Sequence, residues 1–169
     1  MGGVVPFFKI KIMKNYLFGF VLNCVSFFGI AQGAPNAVQP LDQMLNNWHL
    51  AAAQANFETY FSYTSTNFIF LGTAPNERWT KSEFMAFSKP YFDKGKAWDF
   101  KPSNRHWNFA ADGQVAYFDE DLQTWMEGCR GSGVCVLENG QWKIAYYNLT
   151  VLIENEKIKP FIKLRQKKN

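Results

Sequence analysis

The chain has 169 residues, 47% hydrophobic and 18% aromatic, with 18 Lys and Arg against 14 Asp and Glu. Residues 34–156 hold nine of the bases and all 14 acids, whereas 157–169 hold six bases and no acid. An acidic body with a basic tail lacks the basic face that nucleic-acid binding needs, and the length leaves room for one domain of ordinary size.

Lys9, Lys11 and Lys14, with no acid among them, precede the apolar run "YLFGFVLNCVSFFGI" and the small-residue ending "AQG". This is the pattern of a signal peptide spanning 1–33 and cleaved after Gly33. The run is short for a membrane span, a retained anchor being the other reading of the same flanks, and Met13 is a second candidate start. Asn23 before Cys24 does not fit the small residue of a lipoprotein site. A secreted or periplasmic chain with no stable membrane anchor is therefore expected. Cys129 and Cys135 on one extended strand would lie about 20 Å apart, too far for a disulfide, so two free thiols are expected.

In "LDQMLNNWHLAAAQA", Leu41, Met44, Leu45, Trp48, Ala52 and Ala55 share one helical stripe, with Pro40 before the start. Asn56 can cap a short second helix carrying Phe57, Tyr60 and Phe61, and "TNFIFLG" reads as a strand. "TKSE" at 80–83 is a capping box for a third helix that buries Phe84 and Phe87, bends at Pro90 and ends at Gly95. From Ala97 onward "AWDFKPSNRHWNFA" and "QVAYFDEDLQTWM" flank the hairpin signal "DG", and "GVCVLE" and "QWKIAYYNLTVLI" flank "NG". The order predicts an α+β domain over 34–156: three N-terminal helices packed on a strongly curved antiparallel sheet, followed by a basic, solvated C-terminal tail at 157–169.

This layout resembles the SnoaL-like, or nuclear transport factor two-like, superfamily of cystatin-like cones, which includes ketosteroid isomerase and scytalone dehydratase. The resemblance covers about residues 41–155 and rests on "WHLAAA", "FIFLGTAPNERWTKSEF", "VAYFDEDL", "CRGSGV" and "GQWKIAYYNLTVLIENE". It implies a cone enclosing an apolar pocket whose few polar residues decide the chemistry. The chain offers Trp48, Tyr60, Phe68, Phe70, Trp79, Tyr91, Phe92, Trp98, Trp107, Trp125 and Tyr146 for the wall, or simply for an aromatic core.

Among polar residues, His49 could move a proton, since an imidazole ordinarily changes charge near neutral pH. Arg105 and His106 alternate along a strand, so only one faces inward, and Arg105 is favoured. Period-two counting groups Glu120 with Phe118 and Leu122, making Glu120 the inward carboxylate, with Asp119 the fallback if a bulge shifts the register. A carboxylate among aromatics would have a raised pKa and serve as acid or base; an ion pair with Arg105 or Arg130 is the other reading. Arg130, flanked by Gly131 and Gly133, either pairs with these acids or holds a ligand carboxylate. Trp142, Ile144, Tyr146 and Asn148 share one face, and by resemblance Asn148 stands where many cone proteins carry histidine, which argues against a His-based scytalone-type dehydration. Arg78 enters the pocket by resemblance only, through "NERW"; pairing with Glu77 or Asp93 is its other reading.

No cofactor and no metal are expected, since two histidines without spaced partners form no usual ligand set. The residues and the resemblance together imply binding of a small, mostly apolar ligand with an anionic or carbonyl group, by a homodimer. Cofactor-free isomerisation, dehydration or hydrolysis would use Glu120 or His49 as base and Arg130 as oxyanion partner. The alternative is a non-catalytic dimeric assembly or interaction module with a closed aromatic core.

Overall fold

The computed structural model describes residues 1–3 and 34–166, so the leader at 4–33 lies outside the described residues. Helix α1 (Ala34–Ala53) buries Leu41, Leu45, Trp48 and Ala52. It starts earlier than the stripe suggests, so that Pro40 lies inside it and not before it. Helix α2 (Phe57–Ser62) is capped by Asn56, whose side chain accepts from Thr59 N, and it buries Tyr60 and Phe61. Helix α3 (Lys81–Asp93) begins with the complete Thr80–Glu83 capping box and ends before Gly95, which takes a positive φ of 68°. Of its two expected core residues Phe84 is buried, whereas Phe87 is 41% exposed, covered on one side by the stacked ring of Trp79. Tyr91, one turn further on, is also exposed.

Six strands follow the order β2-β1-β6-β5-β4-β3: β1 (Thr64–Leu71), β2 (Arg78–Thr80), β3 (Lys101–Phe109), β4 (Val115–Thr124), β5 (Glu127–Glu138) and β6 (Gln141–Val151). The sheet is mixed and not wholly antiparallel, because β1 runs parallel to β6. A contact between the first and last strands is invisible to hairpin signals, which report only neighbours in sequence. The "NG" turn is the two-residue hairpin expected, with Asn139 and Gly140 both at positive φ, 52° and 76°. The "DG" segment instead lies in a longer connection, since β3 ends at Phe109 and β4 begins at Val115. Residues 97–100 carry no regular structure.

One face of β4 and β5 is buried throughout: Ala116, Phe118, Glu120 and Leu122 on the first, Cys129, Gly131, Gly133 and Cys135 on the second. Cys129 and Cys135 are buried and unbridged. On β6 the register slips where Val134 pairs with Tyr146 but Cys135 with Ile144, leaving Ala145 as a bulge. The inward set therefore changes parity from Ile144 to Tyr147 and Leu149, while Tyr146 and Asn148 turn to the outer face. After a 3-10 turn at Asn155–Lys157, the basic tail forms a solvent-exposed helix α4 (Ile158–Gln166). No helix among the described residues is long and apolar enough to cross a membrane.

Candidate functional site

Glu120 is the only acidic side chain that the fold buries completely among the described residues, with an exposure of 0%. It extends from β4 toward α1, where Asp42, Asn46 and His49 recur at i, i+4 and i+7 and so share one helical stripe. His49 Nε2 lies 2.8 Å from Glu120 Oε1, and the Tyr147 hydroxyl donates to the same oxygen at 3.0 Å. The other oxygen accepts from Arg105 Nε at 2.9 Å and Nη2 at 2.7 Å. Both carboxylate oxygens thus take two partners each.

Arg105 is as fully engaged as the acid. Its remaining donors reach Asp42 Oδ1 at 2.9 Å, the Asp42 carbonyl at 3.3 Å and Asn46 Oδ1 at 3.0 Å, so all five guanidinium N–H groups are used. Asp42 Oδ1 also accepts from Trp107 Nε1 at 2.8 Å. Burial by itself would raise the Glu120 pKa. The hydrogen bond and charge of His49, together with the Arg105 guanidinium, outweigh it and hold the carboxyl below its ordinary value. The expected raised pKa is therefore corrected, because the apolar neighbours come with a cation and an imidazole in direct contact. Tyr147 is pushed well above its ordinary value by burial and then by Glu120, which keeps it a neutral donor. Burial raises the nearby Cys135 thiol to about 12, leaving it unreactive at neutral pH.

Tyr147 can reach across β5 because the residue beneath it is glycine. A Cβ on Gly131 would lie 2.1 Å from the Tyr147 hydroxyl and 3.0 Å from Glu120 Oε1. The glycines of "CRGSG" therefore make room for Tyr147 and Phe118 on the inner face, not for Arg130. Arg130 is 51% exposed on the outer face and meets Asp121 at 3.4 Å, with Asn104 completing that pair. Arg130 thus pairs with an acid of β4, as one of its two expected readings had it, but that acid is Asp121 and not Glu120, whose ion pair is with Arg105. Asp119 and Asn148 also turn outward, the latter donating to Thr150 at 3.2 Å. Arg78 is exposed beside Glu83, and Tyr146 is displaced from the inner wall by the Ala145 bulge.

Behind the cluster Trp48 stacks on Tyr60 at 4.8 Å and meets the edge of Tyr147 at 4.7 Å. Trp48 Nε1 and the Tyr60 hydroxyl are buried without a hydrogen-bond partner among the described residues. Burial pushes the Tyr60 phenol well above its ordinary value. Tyr60 in turn packs against Phe84 and Trp98, and those two rings line a cavity of about 160 Å³. Its other walls are Phe70, Trp79, Phe87, Phe100, Met126 and Leu149, with Trp125, Gly72, Thr73 and Glu77 at its rim. Trp125 is 82% exposed at the tip of the β4–β5 hairpin, so it contributes to the mouth and not to an inner wall. A second recess, about 320 Å³ and more polar, is lined by Asn46, His49, Leu50, Ala53, Asp99, Phe100, Lys101 and Pro102. Phe100 is the wall common to both.

Sequence reasoning identified His49, Arg105 and Glu120 but missed Asp42, Asn46 and Tyr147. The i, i+4, i+7 spacing of Asp42, Asn46 and His49 was the signal for the first two. Among the described residues no group of three or more His, Cys, Asp or Glu side chains is placed to hold a metal ion.

The fold is similar to that of several solved structures. A NTF2-like protein of unknown function from Pseudomonas putida KT2440 superposes with a TM-score of 0.60 at 12% identity, over 72% of this chain and 91% of that one. A protein proposed to be a dehydratase of the NTF2-like family from Streptomyces avermitilis gives 0.60 at 12% identity, over 70% and 98%. One proposed to be a scytalone dehydratase from Novosphingobium aromaticivorans DSM 12444 gives 0.59 at 13%, over 70% and 85%. These likenesses establish the fold alone. No curated protein matches in sequence. The model of the SnoaL-like domain matches residues 41–154, which takes in every strand and the whole Glu120 cluster. The chain belongs to the SnoaL-like domain family.

Proposed function

We propose that this domain binds a small, mostly apolar molecule in the aromatic cavity between α3 and the sheet. The observation that carries the reading is the cavity itself, a 160 Å³ space walled by six aromatic rings with a seventh, Trp125, at its mouth, and with few polar atoms. A dry cavity of about 150 Å³ holds one benzene-sized molecule, so single-ring or similarly compact ligands fit and a steroid skeleton does not. Titration with toluene, indole and cyclohexanone, followed by tryptophan fluorescence and melting temperature, tests this. A ligand at about 100 times its Kd should stabilise the fold by about 2.7 kcal/mol. No response to any of the three, in a protein whose Leu149→Phe variant is at least as stable as the parent, would favour the non-catalytic assembly module instead.

A second reading, cofactor-free proton transfer, is favoured by the His49–Glu120 pair. An ionised Glu120 only accepts, so His49 Nε2 carries the hydrogen of their bond and Nδ1 is left to exchange a proton with a molecule in the polar recess. Glu120 and Arg105, each with every hydrogen-bonding position taken, orient the imidazole in this reading and do not meet the substrate. Arg130, on the outer face, has no part in it. Incubation with cyclic ketones in deuterated water should give His49-dependent deuterium incorporation next to the carbonyl, and incorporation unchanged in His49→Gln would end this reading. Export is also proposed, supported by the leader pattern of residues 1–33. A mature chain beginning at Ala34 by mass is expected, and a retained leader would count against it.

A further inference from the structure

The aromatic cavity has one charged group on its lining, and that group is acidic. Glu77 closes the loop after β1 by accepting from Ala74 N at 3.0 Å through Oε2, its carboxylate lying where a Cβ on Gly72 would be only 2.2 Å away. It is half-buried and forms no ion pair among the described residues. One of the surrounding rings, Trp125, is 82% exposed and stacks on no other aromatic ring among the described residues, so its face is available to a ligand, and Phe100 beside the cavity stacks on none either. An unpaired carboxylate at the rim of a box of electron-rich ring faces is the arrangement that attracts a compact organic cation. The quadrupole of each ring adds to the carboxylate field, and methyl groups on nitrogen satisfy the apolar walls. A carboxylate ligand, expected from the sequence, would meet repulsion here.

We propose that the cavity selects a compact alkylammonium group, of the tertiary or quaternary kind, over a neutral molecule of the same shape. This rests on the cavity being a binding site, as argued above. The test uses three probes of one shape on the full chain at low salt: choline, its uncharged carbon analogue 3,3-dimethylbutan-1-ol, and the anion 3,3-dimethylbutanoate, each measured by calorimetry. Choline should bind at least about tenfold more tightly than the alcohol, a difference of about 1.4 kcal/mol, with the anion weakest. Glu77→Gln, which preserves the acceptor for Ala74 N, should remove most of the preference. Trp125→Leu, at an exposed hairpin tip, should weaken choline more than the alcohol even if the Glu77 variant folds poorly. Equal or tighter binding of the alcohol would overturn the cation assignment while leaving the cavity reading in place. Binding of none of the three, with toluene and indole also silent, would remove both.

Discussion

Three consecutive acids, Asp119, Glu120 and Asp121, behave differently because a strand sends them to opposite faces. The two outer ones stay near solvent, where Asp121 is held by Asn104 and Arg130, while Glu120 is enclosed and depends on His49, Arg105 and Tyr147 for its charge. That dependence has a pH consequence. In the unfolded chain a glutamate titrates at about 4.3. In the fold the Glu120 carboxyl is held lower, against the opposing effect of burial, by its imidazole and guanidinium partners. A depressed folded pKa contributes stability that is complete above the unfolded value and is lost as pH falls through the folded one. Urea denaturation from pH 7 to pH 3 should therefore show stability declining below about pH 4. Glu120→Gln should lower stability at pH 7 by roughly 3 kcal/mol, since it leaves a buried guanidinium short of its counter-charge, and should make the acid decline shallower. An equally steep decline in the variant would show that other carboxylates govern it.

At the level of elements, the site depends on three strands cooperating across one glycine. Tyr147 of β6 passes over Gly131 of β5 to reach Glu120 of β4, and the 2.1 Å separation leaves no space for a methyl group. Gly131→Ala should cost roughly 1–3 kcal/mol as overpacking in the core. Tyr147→Phe, which removes the clashing hydroxyl, should recover part of that cost, so the double variant is less destabilised than the two single effects added together. Additive effects in chemical denaturation would mean that Tyr147 has another place to go. The same strands show where the sequence was readable. Strict alternation around Phe118 and Leu122 identified Glu120 as inward, because β4 pairs regularly with β5 along its whole length, whereas on β3 alternation only set Arg105 and His106 on opposite faces without saying which one turns inward. On β6 the same counting selected Tyr146 and Asn148 and failed, since one extra residue at Ala145 reverses parity without leaving any mark in composition. Arg130 misled for a related reason: its glycines looked like space for its own side chain, whereas they serve residues from the neighbouring strands. The Thr80–Glu83 capping box and the Asn139–Gly140 turn were legible because their chemistry is local.

For the whole molecule, the outer face of the sheet presents a row in register, Tyr117 on β4, Val134 on β5 and Tyr146 on β6, bordered by the polar row Asp119, Ser132 and Asn148. Tyr117 is 49% exposed there. An apolar row framed by polar groups suits a self-complementary interface, and we expect a dimer through this face. Sedimentation of the parent chain should give twice the monomer mass and Val134→Asp should give the monomer; a parent that is monomeric throughout would refute the interface. The parallel seam between β1 and β6 reaches further, into the chain's biosynthesis. Because β1 lies between β2 and β6, the early strands meet the β3–β6 meander only through the last strand to be made. A ribosome-tethered intermediate that stops before Gln141 has β1 with one open edge, β5 with another, and Glu120 without Tyr147. Completion of the core is thus deferred until β6 has been made, leaving an interval in which chaperones encounter a chain that has not yet folded.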